Sequence, residues 1–494
     1  MATTASKQVK QLEMFRGTAD SPKGDAGWKG VGQPTSNRSA VPKPRTRKRR
    51  ASPAMMMIEE VADEANLREA YVQVAANKGA PGPDRQSVTE VGKHLGKLLP
   101  VLQRQLLDES YRPGDIRRVW IPKSGGGQRG LGIPNVVDRL VQQAVLQVLS
   151  PHYESTFHSS SHGFRPGRSC HTALAEAKTY LEEGYEWMVD LDLEKFFDRV
   201  NHQRLMARLE QRVSDRRLLS LIHRMLKAQV VMPNGVVVSN DEGVPQGGPL
   251  SPLLSNIVLD ELDQELAQRG HRFVRYADDA NVYVRGERSA KRVMASITDF
   301  IERRMRLKVN RDKSAVARSG SRHFLGFRFR RDPETGEVEV LLSERSKSRL
   351  RQRIRELTPR NWGGKLTACI ARVNAYLLGW IGSFRICSAA ERSTFSSTDA
   401  HLRRRLRAIK LRQWKRKRTA AIRLIRMGVK PRSAWGTLYR GRRSWWRLSH
   451  SSPVEKGLSN AWFAEQGLAS LAGLWSVKRT RLVIAPVQLK LGLE

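Results

Sequence analysis

The sequence predicts an α+β fold that is followed by a basic, helical region. From about Met55 to residue 335, short runs of β-branched and aromatic residues alternate with amphipathic stretches. The best strand candidates come in hairpin-like pairs rather than in regular βαβ units, which favours α+β over α/β. Beyond Ser343 the pattern becomes helical and strongly basic, so we expect a helical bundle there.

The charge of the chain indicates a polyanionic partner. Its 494 residues include 88 Lys and Arg but only 48 Asp and Glu, which gives a formal net charge of +40 at pH 7. Such an excess causes self-repulsion unless an anion neutralises it, and a nucleic acid does so while releasing condensed counterions. The alternative is a solvated basic surface that serves solubility, although small soluble domains usually need a net charge of only about 2 to 8.

Cysteine usage and hydropathy argue against several other classes of protein. Cys170, Cys369 and Cys387 lie far apart and form no CxxC pair, which suits neither a disulfide framework nor a zinc site. No apolar run approaches the roughly 20 residues of a membrane helix, and the N-terminus lacks the apolar stretch of a signal peptide. We therefore expect a cytoplasmic protein with reduced thiols and no membrane contact.

The elements of the α+β region can be placed in order. Residues 1–54 combine Gly, Pro, Ser and Thr with a basic run and lack apolar periodicity, which predicts a disordered tail. Its basic run is either a nucleic-acid arm or a solvated linker. An apolar face then predicts a helix from Met55. Further helices are expected over 136–149 and 171–181, and strands over 118–122, 187–193 and 273–284, the last around a central turn.

The basic region predicts helices over 344–357, 366–377 and 400–425, with breaks at Gly363, Gly364 and Gly379. Between Asp399 and Glu455 there is no acidic residue, while Arg and Lys recur together with Trp and Tyr. Cations interleaved with aromatic rings suit phosphate contact combined with stacking or packing. Within one predicted helix, the candidates for RNA or DNA contact are Arg412, Trp414, Lys415, Arg416 and Lys417.

Two segments carry carboxylates in a pattern that suits metal chemistry. Asp278 and Asp279 occupy the turn of the 273–284 hairpin, where burying adjacent carboxylates is costly unless a cation neutralises them. An Asp-Asp pair is also a common hairpin turn. In the preceding acidic strand, Asp190 and Asp192 alternate with apolar residues and therefore share one face. If that strand lies beside the hairpin, Asp192 completes a set of oxygen ligands for two Mg²⁺ ions about 3.5 to 4 Å apart, as in polymerases.

Two glycine-rich segments can approach a substrate closely. A Gly/Pro loop around Gln246 leads into an apolar helix, and its amide can both donate and accept hydrogen bonds. The alternative is a tight turn before a helix. Upstream, a predicted hairpin carries Lys123 and Arg129 at a glycine-rich tip, where the cations can clamp a triphosphate unless the hairpin is purely structural.

Eight motifs follow one another along the chain. They are 77–84, the Lys123/Arg129 hairpin, 162–168, the Asp192 strand, 243–247, 276–279, 307–313 and 324–327. In this order they resemble the group II intron-encoded reverse transcriptases, also called maturases, over about residues 70 to 330. Residues 349–418 are similar to the thumb or maturase region of that family. Eight motifs in one order are far more specific than any one of them.

The resemblance implies a right-hand polymerase fold and a set of site residues. Fingers and palm are expected over 55–335, a helical thumb or maturase domain over 336–420, and a small basic nucleic-acid-binding region over 421–494. The implied catalytic and metal-binding residues are Asp192, Asp278 and Asp279. The implied dNTP contacts are Lys123, Arg129, Phe196, Gln246 and Lys313, and the implied template or primer contacts are Phe164, Arg165, Leu325 and Gly326. The Phe196 ring would exclude a 2′-hydroxyl, unless it is only a core residue.

The implied function is that of a bacterial RNA-directed DNA polymerase that binds its group II intron RNA and assists its splicing. It would copy the intron into DNA at a target site, using dNTPs and two Mg²⁺ ions. The alternatives are an RNA-binding splicing factor with a vestigial polymerase site, and a related transcriptase domesticated for repair or defence.

The chain departs from the family pattern in three places. Gly130 stands where the family often has Pro, and Lys195 where it often has Gly. No cysteine follows Cys387, so the Cys/His-bearing HNH endonuclease of many members is not expected. The primer would then come from elsewhere, such as a nascent strand at a replication fork.

Overall fold

The structure is a computed structural model that describes residues 58–122, 126–441 and 444–481. Within these ranges the chain forms two compact units. The first contains the residues up to Ala177 together with Trp187–Val316, and the second contains Lys178–Glu186 and the residues from Ala317 onward. The predicted tail over 1–54 and Lys123 lie outside the described residues. In the part of the chain that is described, no helix is both long and apolar enough to cross a bilayer.

From Ile58 to Arg318 helices and strands are mixed, as the sequence predicts. The helices are α1 (Ile58–Ala62), α2 (Glu64–Ala76), α3 (Val88–Lys93), α4 (Leu95–Leu107), α5 (Val136–Glu154), α6 (Cys170–Glu182), α7 (His202–Glu210), α8 (Arg216–Leu226), α9 (Ser251–Gln268) and α10 (Glu287–Asp299). The strands are β1 (Ile116–Pro122), β2 (Gln128–Ile133), β3 (Trp187–Asp192), β4 (Val230–Val231), β5 (Val237–Val238), β6 (Arg272–Tyr276), β7 (Asp279–Val284) and β8 (Ala315–Arg318).

The helix predicted from Met55 is divided in two. Ile58 and Val61 are buried, as their apolar pattern predicts, but Asp63 separates α1 from α2. The Asp63 carboxylate accepts hydrogen bonds from the backbone N–H groups of Ala65 and Asn66, so it caps the N-terminus of α2. An Asp at that position satisfies donors that have no partner within the helix, which favours a new helix start over a continuous one.

Two four-stranded sheets organise the chain between Ile116 and Arg318. In one, the order is β2-β1-β4-β5, with β1 and β2 forming the predicted antiparallel hairpin. In the other, the order is β6-β7-β3-β8. Val189 and Leu191 of β3 are buried in the main apolar cluster, whereas Asp190 and Asp192 alternate with them and are only partly buried. The predicted segregation of apolar and acidic side chains on β3 is therefore confirmed.

Beyond Arg318 the chain is mainly helical. A hairpin of β9 (Phe327–Arg331) and β10 (Val338–Leu342) comes first. The helices that follow are α11 (Glu344–Leu357), α12 (Leu366–Phe384), α13 (Arg392–Gln413), α14 (Lys417–Arg426), α15 (Pro431–Tyr439), α16 (Trp445–Leu448), α17 (Ser452–Gly457), α18 (Asn460–Glu465) and α19 (Leu471–Arg481).

Two sequence expectations in this region are wrong. The expected break at Gly379 does not occur, because α12 continues through it to Phe384, and an added Cβ there would meet no neighbouring atom. The single helix expected over 400–425 is two helices, since Lys415 has a φ of 58° between α13 and α14. A left-handed residue cannot continue an α-helix, so the chain turns at that point.

Candidate active site and nucleic-acid contacts

The three candidate carboxylates meet at one end of the β6-β7-β3-β8 sheet. Asp192 is the last residue of β3 and pairs in register with Asp279, the first residue of β7. Ala277 and Asp278 form the two-residue turn between β6 and β7. Ala277 has a φ of 58°, the left-handed conformation that tight hairpin turns use. The prediction that the acidic strand lies beside the hairpin is therefore confirmed.

Burial and mutual repulsion raise the pKa of two of these carboxyl groups. Burial is the main cause for Asp278, and the charge of Asp192 adds to it, whereas Arg129 acts in the opposite direction. For Asp279 burial raises the pKa well above its ordinary value, and the charges of Asp190, Asp278 and Asp192 raise it further. Ionising Asp278 and Asp279 is therefore costly unless a cation binds beside them.

The donor set fits a hard divalent cation. Among the described residues, no three or more His, Cys, Asp or Glu side chains are gathered closely enough to hold a metal ion as they stand. Lys313 Nζ lies 3.2 Å from Asp192 Oδ2 and partly neutralises this carboxylate. Three carboxylates at one sheet end still supply only oxygen ligands, as Mg²⁺ prefers, and a cation would relieve the repulsion at Asp279. The backbone register places Asp192 opposite Asp279, with Asp278 in the adjoining turn.

The buried side chain of Arg275 donates a hydrogen bond to the Ala277–Asp278 turn. Arg275 on β6 is fully buried, and its Nε and Nη2 donate to Asp263 Oδ1 and Oδ2 at 2.7 and 2.5 Å. Its Nη1 donates to the carbonyl oxygen of Ala277 at 2.9 Å and to Asn256 Oδ1 at 3.0 Å, while Nη2 also donates to Ser161 Oγ at 2.7 Å. The network thereby links the turn to helix α9, which carries Asn256 and Asp263.

The 162–168 motif packs directly against the same turn. The His162 N–H donates to the Arg275 carbonyl at 2.8 Å, and Asn256 Nδ2 donates to the Gly163 carbonyl at 2.9 Å. A Cβ built on Gly163 would overlap the backbone nitrogen of Ala277. Only glycine fits this close approach, so the loop and the turn are held in one fixed relation.

The two template-contact candidates in this loop have different surroundings. Phe164 has a φ of 59° and a side chain that is 37% exposed, so it is available to a ligand. Arg165 is only 7% exposed, and its guanidinium pairs with Glu154 at 2.7 Å and donates to the carbonyls of His158 and Ser161. The expectation that Arg165 contacts the template is therefore not supported by its position, because its donors are already satisfied inside the protein.

Three of the nucleotide-contact candidates, Arg129, Gln246 and Lys313, lie in the first unit. Arg129 is exposed on β2, and its positive charge acts to lower the pKa of the Asp278 carboxyl group. The Gln246 carbonyl accepts a hydrogen bond from the Gly132 N–H at 2.7 Å, so the Gly/Pro loop is joined to the β1-β2 hairpin. Lys313 completes the group through its contact with Asp192.

Phe196 lies in a single 3-10 turn, Phe196–Asp198, directly after β3. Its ring is only 2% exposed and belongs to the main apolar cluster. Lys195 before it has a φ of 50°, the left-handed conformation that glycine adopts at least cost, which accounts for the frequent Gly of the family at this position. Phe196 is thus part of the core, and its contact with a nucleotide stays a prediction.

The primer-contact candidates form a tight turn in the second unit. Phe324 and Phe327 exchange backbone hydrogen bonds of 2.8 and 2.9 Å, and Leu325 and Gly326 between them have φ values of 52° and 92°. The Gly326 carbonyl also accepts a hydrogen bond from Ser346 Oγ at 2.7 Å. The turn is thus fixed to the start of α11, which makes Leu325 and Gly326 a rigid feature.

The candidates around Trp414 are partly exposed and partly buried. Arg412, Lys415 and Arg416 are exposed, and Lys417 donates to the carbonyl of Gly441 at 3.3 Å. Trp414 ends α13 with a ring that is only 4% exposed, so this structure does not present it for base stacking. Sequence alone missed this because a Trp in a basic segment has the same pattern whether it packs inward or outward.

Two family models match the chain. Residues 121–329 match the family model "Reverse transcriptase (RNA-dependent DNA polymerase)", and residues 347–426 match "Group II intron, maturase-specific domain". A solved structure, "Partial Cas6-RT-Cas1--Cas2 complex", gives a TM-score of 0.33 at 21% identity, covering 50% of this chain and 43% of that one.

The matches to two curated relatives span different shares of those proteins. "Protein YkfC" of Escherichia coli (strain K12) is 34% identical over 349 residues, which are 62% of this chain and 89% of the relative. "Group II intron-encoded protein LtrA" of Lactococcus lactis subsp. cremoris is 39% identical over 207 residues, which are 42% of this chain and 34% of LtrA. The chain therefore spans only about a third of LtrA. The match covers 89% of YkfC, and a reverse transcriptase domain is followed by a maturase-specific domain. The chain therefore belongs to the group II intron reverse transcriptase and maturase family.

Proposed function

We propose that this chain synthesises DNA on an RNA template at the site formed by Asp192, Asp278 and Asp279. The observation that carries the proposal is the pairing of Asp192 with Asp279 beside the Asp278 turn. A protein that only binds RNA has no need of repelling carboxylates next to an anionic ligand, which argues against a vestigial site. Two Mg²⁺ ions held there would activate a primer 3′-hydroxyl and neutralise charge on the transferred phosphoryl group.

The surrounding side chains would bind and orient the incoming dNTP. Arg129 and Lys313 supply positive charge next to the carboxylates, which suits contact with a triphosphate. We propose the same contact for Lys123, which lies outside the described residues. Gln246 would contact the nucleotide, because its loop is joined to the Arg129 strand. Phe196 would exclude a 2′-hydroxyl with its ring edge.

We further propose that the chain binds its group II intron RNA, assists splicing and copies the intron at a DNA target. The maturase-specific match over 347–426 and the acid-free stretch between Asp399 and Glu455 support this role. Phe164 would contact the template, and Leu325 with Gly326 the primer. The primer would come from outside the protein, and the site of action would be the bacterial cytoplasm.

The decisive variant replaces Asp278 and Asp279 together with Asn. Because metal-ion charge stabilisation is worth several kcal/mol in the transition state, primer extension should fall by about a thousandfold or more. Intron RNA affinity should stay within about twofold of the parent, since the carboxylates hold metal rather than RNA. A matched control replaces the exposed Glu64 and Glu69 of α2 with Gln, which changes the charge equally and should keep extension at the parent's level.

A melting experiment on the same variant tests metal binding apart from catalysis. In chelator the double Asn variant should melt above the parent, because raised carboxyl pKa values mean that the ionised groups destabilise the fold at neutral pH. Mg²⁺ should then raise the melting temperature of the parent but not that of the variant. Extension retained by the variant, or a large loss of RNA binding, would refute the assignment.

A further inference from the structure

A cavity of about 580 Å³ opens in the second unit beside helix α13. Its charged lining residues are His401, Arg403, Arg404, Arg407, His450 and Glu455. The first four lie on α13, while the other two belong to the C-terminal region beyond α16. The volume lies within the range of natural small-ligand sites, roughly 300 to 1,000 Å³, so a nucleotide-sized group can enter.

The single carboxylate of the lining is already engaged. Glu455 Oε1 accepts a hydrogen bond from Arg407 Nη1 at 3.1 Å and lies 2.9 Å from His450 Nδ1. For Arg403 and Arg404, no carboxylate lies within ion-pair distance in the described parts of the chain. The cavity therefore presents two arginines whose charge no acid in its wall neutralises.

Trp446 holds the guanidinium of Arg404 in place. The central carbon of Arg404 lies 4.2 Å from the ring centroid, and that of Arg360 lies 4.7 Å from the same centroid. The His401 ring meets Trp446 edge-on at 6.3 Å. A cation over an indole face is attracted by the ring quadrupole, and this attraction does not occupy the N–H donors of the guanidinium.

Two donor atoms at this position lack an acceptor. Arg404 Nε and His401 Nε2 are buried, and neither has a hydrogen-bond partner among the described residues. Behind them Arg405 is only 7% exposed, and its donors go to Thr358 Oγ1 and to the carbonyls of Thr358 and Arg355 rather than to a carboxylate. Arg403 and Arg404 are half-buried cations without an acid, and such cations are stabilised when an anion with several acceptor oxygens binds nearby.

We propose that this cavity binds one phosphodiester group of the intron RNA, with Arg403 and Arg404 as its donors. The arginine fork matches two phosphate oxygens, and Trp446 acts as a positioning residue for Arg404. The proposal rests on the proposed intron-RNA binding. RNA is favoured over DNA because His401 to Arg407 fall within the maturase-specific match over 347–426, while His450 and Glu455 complete the cavity from outside that match.

The test replaces Arg403 and Arg404 together with Gln. The control replaces Arg392 and Arg426 with Gln. Both arginines are exposed in the second unit, and replacing them removes the same charge at positions that do not line the cavity. Intron RNA affinity is measured between low and moderate salt. The cavity variant should bind about tenfold more weakly than the control, the factor expected when one charge-assisted hydrogen bond is removed. Its slope of log affinity against log salt should be flatter by about 0.7 per phosphate released.

Three readouts decide the proposal. Extension on a preformed, saturating primer-template unrelated to the intron should stay at the parent's rate, which separates this site from the polymerase function. Trp446→Leu keeps every charge but should also weaken RNA binding, and its melting curve checks the fold. Equal RNA affinity and salt slope for the cavity and control variants would overturn the site, as would parental affinity in Trp446→Leu. A loss confined to a DNA duplex of equal length would overturn the assignment to RNA.

Discussion

At the scale of single residues, Arg275 has the clearest link between stability and catalysis. Its ion pair with Asp263 is fully buried, and one of its N–H groups donates to the Ala277 carbonyl in the turn that carries Asp278. Arg275→Met alone should cost about 3 to 5 kcal/mol of unfolding free energy, because it leaves the Asp263 charge buried without a partner. Arg275→Met combined with Asp263→Leu should recover most of that loss, since a buried ion pair replaced by apolar groups is often nearly neutral.

The double variant separates folding from positioning. It should melt near the parent, yet extend primers up to about a hundredfold more slowly, because the unsupported turn misplaces Asp278 and Asp279. Melting curves and single-turnover extension measure the two effects. A double variant that is both stable and fully active would show that Arg275 serves only the fold.

The sequence predicted the carboxylates but not what surrounds them. Asp192, Asp278 and Asp279 were identifiable because period-two alternation and a hairpin turn are local features. Arg275 lies in an apolar strand and pairs with Asp263. Arg165 lies in a glycine-rich loop and pairs with Glu154. No local sequence pattern indicates either pairing. Those partners lie on other elements, so only the tertiary fold reveals which arginine is structural.

At the scale of elements, the contact between the Gly163 loop and the Ala277–Asp278 turn should be the point most sensitive to substitution. Gly163→Ala should reduce extension by about tenfold or more, because its Cβ would displace the backbone nitrogen of Ala277 and thus the Asp278 turn. Gly96→Ala in α4 is the matched control, since a Cβ there meets no atom and alanine favours a helix by about 0.5 to 1 kcal/mol. Extension and melting temperature are measured for both. Equal activity of the two variants would contradict a rigid junction.

Element boundaries were predictable where a local signal marks them. Helix α11 runs over Glu344–Leu357, as its pattern predicts, and Ser343 accepts a hydrogen bond from Ser346 N–H at its start. The break between α13 and α14 contains no Gly or Pro, so the sequence does not predict the left-handed conformation of Lys415. The burial of Trp414 accompanies that break, which shows packing overriding a continuous helical pattern.

At the scale of the whole molecule, acidic and basic residues are used in different ways. The net charge is +40, yet Asp192 and Asp279 lie side by side where β3 and β7 pair, and the 400–454 stretch has no acidic residue. Cations in such a stretch cannot pair with acids within it. Their charge therefore remains available to phosphates, unless a residue outside the stretch neutralises it, as Glu455 does for Arg407.

The exposed cations at the α13-α14 junction should therefore contribute to sequence-independent binding of nucleic acid. The variant replaces Arg412, Lys415 and Arg416 with Glu. Its slope of log affinity against log salt should be flatter by about 0.7 to 0.9 for each phosphate that it no longer neutralises. The control reverses the exposed Lys93, Lys97 and Arg104 of the first unit, an equal change of net charge that should leave most of the slope intact. Filter binding over a salt series measures both, and extension on a saturating primer-template should survive in each. If the two slopes match, net charge alone governs binding and the junction is only a solvated basic surface.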